Sequence, residues 1–86
     1  MNRLYVIKVG FLEIRGLISP GELPELLGEF FRLSNQHGAS AEYLGDGEFR
    51  ATKNRVRISL TIGSYHEAMP GPMLLDALDA AMGMAF

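Results

Sequence analysis

One short segment combines four chemically active groups, a hydroxyl, a phenol, an imidazole and a carboxylate, at Ser64, Tyr65, His66 and Glu67. An imidazole near a hydroxyl is a pairing that nucleophilic and acid–base catalysis uses. Catalytic pairs normally come from separate segments, however, and adjacent side chains seldom face one another. We therefore predict that this segment is a loop. The catalytic alternative is a small dimeric ferredoxin-like enzyme with His66 as its acid and base.

The residue types of this chain give little support for a metal or cofactor site. The chain has no cysteine and two histidines, so the ligands that zinc and copper prefer are scarce. Asp76 and Asp79 share a helical stripe, and on an otherwise apolar helix this pattern indicates the solvent side. His37 precedes a glycine at a predicted helix end, where a surface cap is expected. We expect no metal, no cofactor and no catalytic residue.

A short basic segment interrupts an acidic chain. The whole chain has a net charge of −2, whereas residues 48–62 have a net charge of +3. Alternation along a strand places two of the four cations on one face, with a third on the neighbouring strand and a fourth in the turn. We predict that this basic cluster binds a partner: Arg50, Lys53, Arg55 and Arg57.

Two kinds of partner fit such a cluster, an acidic protein surface and a phosphate backbone. Tyr43 and Phe49 are predicted to point into the core, which leaves no aromatic platform for stacking bases. The element order of residues 20–82 resembles that of the double-stranded-RNA-binding domain. That family has lysines at the start of its final helix, where this chain reads Met69-Pro70-Gly71-Pro72-Met73. A plain alternative is a solvated strand face whose arginines pair with neighbouring glutamates.

The elements that would position these groups begin with an extended region over residues 3–15. Apolar residues alternate up to Gly10, where the phase of the alternation shifts. The shift indicates either a bulge within one strand or a tight turn between two strands. The sequence leaves both alternatives open.

A helix and a three-stranded meander are predicted next. Leucines and phenylalanines recur at helical spacing over residues 24–36, and Gly38 is a typical helix stop. The next strands are expected over 41–44, 48–52 and 55–62, the first two joined by a glycine-flanked turn and the last two by a tight turn at Lys53 and Asn54. The last strand is predicted to direct one set of apolar side chains toward the core: Val56, Ile58, Leu60 and Ile62.

The final helix is predicted over residues 72–82, ending at Gly83. Its circumference is apolar on most sides, so it needs cover on more than one side. It is either the central core element or the contact with a second chain, for which a two-fold dimer is the commonest arrangement. The residues predicted for that oligomer interface are Met73, Leu75, Met82, Met84 and Phe86.

This element order, β-α-β-β-β-α, predicts an α+β fold, a two-layer sandwich in which an antiparallel sheet of about four strands carries two helices on one face. A length of 86 residues predicts a single domain over 1–86, and 48% hydrophobic with 21% charged residues excludes a disordered chain. The absence of cysteine, of an export signal and of any long apolar run predicts a cytoplasmic protein without membrane contact.

The function expected from these features is that of a non-catalytic, protein-binding regulator or inhibitor of a larger protein assembly. By analogy of class alone, small phage proteins that block host defence complexes are of this kind. A weak nucleic-acid-binding protein that uses the basic strand face is the first alternative, and the small enzyme is the second.

Overall fold

The computed structural model describes residues 2–66 and 71–86, without the side chains of residues 65 and 66. Its elements are β1 (Asn2–Val9), β2 (Leu12–Ile18), α1 (Leu23–Gln36), β3 (Ser40–Gly45), β4 (Glu48–Lys53), β5 (Val56–His66) and α2 (Leu74–Ala85). The strands form one antiparallel sheet in the order β2-β1-β5-β4-β3. The predicted antiparallel α+β class is confirmed.

Residues 2–18 form a hairpin, one of the two alternatives that the sequence left open. Val9 pairs with Leu12, so the connecting turn contains two residues. Gly10 has a φ of +60°, the positive value that the first residue of a type II′ hairpin turn requires. The sheet consequently has five strands rather than about four.

Helix α1 begins one residue before its predicted start and ends where predicted. Pro24 fits the first helical turn, where a backbone N–H has no intrahelical acceptor. Phe30 is completely buried on the apolar stripe that the spacing predicted. Gly38, with a φ of +76°, follows the helix in the left-handed conformation that helix ends favour.

The predicted meander is formed by β3, β4 and β5. Three of the four residues predicted to face the core from β5, Ile58, Leu60 and Ile62, are buried, whereas the fourth, Val56, is 40% exposed at the start of the strand. The turn before β5 lies one residue later than predicted, at Asn54 and Arg55. Asn54 has a φ of +56°, a left-handed value that asparagine tolerates better than most residues.

Helix α2 is longer than predicted at its C-terminal end and begins later. It continues through Gly83, which was expected to end it, as far as Ala85. Glycine inside a helix costs only about 1 kcal/mol relative to alanine. Burial of Leu78, Ala81 and Met82 in the core outweighs that cost.

The core lies between the two helices and one face of the sheet. Tyr5, Ile7 and Leu60 project into it from the central strands and are completely buried. Helix α2 packs on β2, β1 and β5, and α1 packs on β3. The other face carries no described helix, and we call it the open face. Its side chains are Leu4, Val6, Lys8, Glu13, Arg15, Leu17, Ser40, Glu42, Leu44, Glu48, Arg50, Thr52, Arg57, Ser59 and Thr61.

One buried hydroxyl connects the sheet to the chain before α2. The Tyr5 hydroxyl donates a hydrogen bond to the backbone carbonyl of Pro72. Burial of the phenol, and secondly the negative charge of Glu22, raise the pKa of Tyr5 above its ordinary value of 10.0. The folded state therefore retains this proton at a pH at which the unfolded chain releases it.

Alkaline pH should destabilise the protein through Tyr5. The stabilising contribution is complete below pH 10 and declines as the pH rises above that value toward the folded-state pKa. Urea denaturation at a series of alkaline pH values should show a falling free energy of unfolding. The Tyr5→Phe variant should start about 1 kcal/mol less stable and show a shallower decline. Parallel pH profiles for the two proteins would contradict the assignment to Tyr5.

Candidate functional site

Charged side chains form a row across the middle of the open face. The register aligns Glu13, Lys8, Ser59, Arg50 and Glu42, one from each strand. The carboxylates at the two ends hold the cations beside them. Lys8 Nζ lies 3.9 Å from Glu13 Oε1, and an Arg50 guanidinium nitrogen lies 3.4 Å from Glu42 Oε1. Each of these two cations therefore has a carboxylate partner on the sheet, and Glu13 also pairs with Arg15.

The structure separates the predicted basic cluster into three places. Arg50 belongs to the central row. Lys53 lies on the helix side of the sheet, where its side chain approaches Gly38 at the end of α1. Arg55 lies in the turn before β5 and Arg57 lies at the start of β5, and both are exposed. Among the side chains that the structure describes, neither of these two arginines forms an ion pair.

The turn between β1 and β2 places an aromatic ring in solvent. Phe11 is fully exposed at the tip of this hairpin. Because Val9 pairs with Ile58, the first residues of β5 lie beside the turn. Leu12 and Val56, at 44% and 40% exposure, are accessible at the same end of the sheet.

Apolar and cationic side chains therefore lie at the same end of the sheet, with Arg57 on the open face and Leu12 and Val56 on the helix side. Aromatic side chains and arginine are the residue types enriched in the energetically dominant part of protein interfaces. An exposed ring can enter an apolar pocket while guanidinium groups beside it pair with carboxylates around the rim. We call this group the hairpin-tip surface: Phe11, Leu12, Arg55, Val56 and Arg57.

Sequence reasoning identified the arginines of this surface but not Phe11. The relevant signal is the dipeptide of Gly10 and Phe11 at the phase shift. Glycine at the first position of a two-residue turn leaves the next side chain at the tip. That inference requires the turn rather than the bulge, and only the strand pairing distinguishes them.

The open face also contains a shallow depression of about 140 Å³. The side chains of Lys8, Arg50, Ser59 and Thr61 contribute to its lining. A second groove, of about 240 Å³, lies between α1 and the sheet and is mainly apolar. Both volumes are below the range of about 300–1,000 Å³ that is typical of small-molecule sites.

The predicted catalytic segment lies at the end of β5. The strand extends to His66, so the expectation of a loop is wrong for residues 64–66. Antiparallel pairing of this strand with β1 extends its regular structure to that point. Ser64 is exposed. The side chains of Tyr65 and His66, and all of Glu67, lie outside the described residues.

The other histidine lies at the end of α1, and the two aspartates lie on the exposed side of α2. His37 is the C-cap residue of α1, and its ring centroid lies 6.3 Å from that of Phe86. Asp76 and Asp79 are exposed and border a depression between α1 and α2. Among the described residues, no three side chains of metal-ligating type come together.

The residues predicted for an oligomer interface fall into two groups. Met82 is completely buried in the chain's own core, and Leu75 and Phe86 pack against that core. Met82 is therefore not accessible to a second chain, because its side chain is enclosed in the core, where its sulfur lies 4.0 Å from the Ser34 hydroxyl of α1. Met73 and Met84 are 48% and 64% exposed and remain accessible.

Within the described residues, no helix combines the length and the apolar character needed to cross a membrane. Comparison with family models, with curated proteins and with solved structures gives no match to this chain.

Proposed function

We propose that this chain is a non-catalytic protein-binding regulator and that the hairpin-tip surface is its contact with the partner. The observation that carries the proposal is the complete exposure of Phe11. The aromatic ring contributes nothing to the core from this position. Its transfer from water into an apolar pocket of a partner would be worth about 1.5–3 kcal/mol.

The arginines define the chemistry of the partner. Arg55 and Arg57 lie at the same end of the sheet as the ring and, among the described side chains, form no ion pair. Guanidinium groups in this state are available for carboxylates of another molecule. The partner surface that fits is an apolar pocket with an acidic rim. Arg50, in contrast, is already paired with Glu42.

A nucleic acid fits this surface less well. A single ring offers one stacking position, whereas binding to single strands uses several. Among the described side chains of the open face, Lys8, Arg15 and Arg50 already pair with glutamates, which leaves Arg57 as the cation that a phosphate could bind without displacing a carboxylate. We further propose that binding inhibits a larger assembly to which the partner belongs, of which a host defence complex is one example.

Affinity capture from a lysate of the source cells, with and without nuclease, tests the proposal. The bait is compared as wild type, Phe11→Ser and Arg57→Gln. Two matched controls change the same kinds of side chain elsewhere: Met84→Ser on α2 and Arg32→Gln on α1. Circular dichroism establishes that each bait is folded.

We expect one protein to be captured in stoichiometric amount by the wild type and by both controls, with nuclease present. Phe11→Ser should reduce its capture by at least about tenfold, a loss of about 1.4 kcal/mol. Arg57→Gln should weaken capture and reduce its sensitivity to salt. Capture that is unaffected by Phe11→Ser would contradict the proposal. Capture that disappears with nuclease would favour the nucleic-acid alternative.

A further inference from the structure

The outer edge of β3 is an unpaired strand edge in the described structure. β3 is the last strand of the sheet, and four of its six residues are exposed. Tyr43 and Leu44 are 50% and 44% exposed. Natural edge strands usually carry lysine, proline or an inward-pointing charge that blocks pairing. β3 has no lysine, no proline and no inward-pointing charge, and its one charged residue, Glu42, lies on the open face and pairs with Arg50. A bulge in its pairing with β4 lies between Tyr43 and Gly45, so the regular part of this edge is 40–43.

The opposite edge of the sheet is different. Gly71 lies so close to β2 that a Cβ atom there would be 2.5 Å from the Arg15 carbonyl oxygen. The chain before α2 therefore crosses β2 at its middle. Glu13 and Arg15 on this strand form an ion pair at 3.1 Å. Both end strands lack a strand partner in the described structure, and β2 in addition carries this chain segment on the sheet face where Tyr5 and Gly16 lie.

Helix α1 places an uncharged surface above the same edge. It packs on β3, and the two leave Leu27 and Phe31 exposed at 48% and 39%. At 3.6 residues per turn, Pro24 and Asn35 lie on the same side of the helix as these two residues. The charged side chains of α1 lie elsewhere on its circumference, and Glu29 and Arg32 bond to each other beside α2. We call Pro24, Leu27, Phe31 and Asn35 the outer flank of α1.

We propose that two copies of this chain form a dimer in which their β3 strands pair antiparallel across a two-fold axis. Such pairing satisfies the unpaired backbone groups of both edges and continues the sheet from one chain into the other. The axis also brings the outer flank of α1 against its own copy. An uncharged flank meets itself without like-charge repulsion, as a self-complementary interface requires.

The charge of Glu42 restricts the register. In antiparallel pairing, residues directly opposite each other place their side chains on the same face of the sheet. The two-fold axis of the dimer therefore passes midway between one residue of β3 and the same residue of the second copy. An axis at Glu42 would place two carboxylates opposite each other, which is unfavourable. Axes at Ala41 or Tyr43 instead place Glu42 opposite Ser40 or Leu44 of the second copy. These two registers are the ones that we infer.

The dimer is independent of the proposed binding function, because the hairpin tip lies at the far side of the sheet from β3. Joining two β3 edges would carry one hairpin-tip surface toward each end of the continuous sheet. A partner with repeated sites would then be bound by two contacts at once, which raises its overall affinity.

Light scattering of the purified full chain, with size-exclusion chromatography over a wide concentration range, is the first test. We expect a mass of twice 9.5 kDa, decreasing toward 9.5 kDa on dilution. The Leu27→Glu variant should dissociate at concentrations at least about tenfold higher. Leu12→Glu, at a comparable exposure on β2, should leave the mass unchanged. A wild-type monomer at every concentration would overturn the proposal, as would equal effects of the two variants.

Single cysteines give a second measurement that does not depend on a charged variant folding. The chain contains no cysteine, so one introduced thiol can only pair with its copy in a second chain. Residues opposite each other near a two-fold axis have Cα atoms within disulfide range. Ala41→Cys or Tyr43→Cys should cross-link rapidly on mild oxidation, whereas Thr61→Cys on the open face should not. A dimer whose chains cross-link no faster at positions 41 and 43 than at position 61 would overturn the β3 pairing.

Discussion

Phe30→Ala should lower the free energy of unfolding by about 3–5 kcal/mol, the largest loss that we expect from one substitution. Phe30 is completely buried, with its ring centroid 5.3 Å from that of Phe49 and 6.1 Å from that of Phe31. Removal of the ring leaves a cavity where α1 meets the sheet. An 86-residue domain has a total stability of about 4–13 kcal/mol, so much of the margin disappears.

Urea denaturation followed by circular dichroism measures this effect. The matched control is Phe11→Ala, which removes the same ring from a fully exposed position. Its free energy of unfolding should stay within about 0.5 kcal/mol of the wild type. Similar losses for the two variants would mean that the rings at positions 11 and 30 do not differ in burial as described. The same comparison establishes that variants of the hairpin-tip surface affect binding and not folding.

Gly71→Ala should destabilise the protein by about 1–3 kcal/mol, the cost of forcing an extra methyl group into a packed site. The new Cβ would lie 2.5 Å from the Arg15 carbonyl oxygen and 2.9 Å from the Gly16 Cα. Both are backbone atoms of β2, so neither can rotate away. The segment before α2 would have to lift from the sheet, which would also break the hydrogen bond from Tyr5 to Pro72.

Thermal or urea denaturation of Gly71→Ala is best compared with Gly83→Ala. Gly83 lies inside α2, and a Cβ there would meet nothing within 4 Å. Alanine is the better helix former, so this control should be more stable than the wild type by about 0.5–1 kcal/mol. The two glycine-to-alanine substitutions should therefore act in opposite directions. A neutral or stabilising Gly71→Ala would show that the chain before α2 does not rest on β2.

The local elements were largely predictable because their signals are local. The spacing of apolar residues around Phe30 defines α1, and the alternation of Ile58, Leu60 and Ile62 defines β5. The end of α2 was predicted wrongly at Gly83. The free-energy cost of one glycine inside a helix is smaller than the free energy gained by burying the residues around it.

The basic segment was also found from sequence, but its arrangement was not. Lys53 lies on the helix side of the sheet, whereas Arg57 lies on the open face. Strand alternation predicts this difference only when the turn between β4 and β5 is known to begin at Asn54. The pairing that neutralises Arg50 joins two strands, and it depends on the register between Glu42 and Arg50. Residue types alone do not distinguish a neutralised arginine from an available one.

By itself the sequence determined the α+β class, the helix and strand order after residue 20, and the position of the positive charge. Tertiary structure alone decided that Gly10 begins a turn, that Phe11 lies at its tip beside Arg57, and that β3 is an open edge. The physical reason is that these features depend on which strands pair. β1 pairs with β5, which lies far away in the chain, and the hydrogen bonds and packing between them are not encoded in the local pattern of either segment. The alternation around Gly10 fits a bulge or a turn, and only the pairing of Val9 with Leu12 selects the turn.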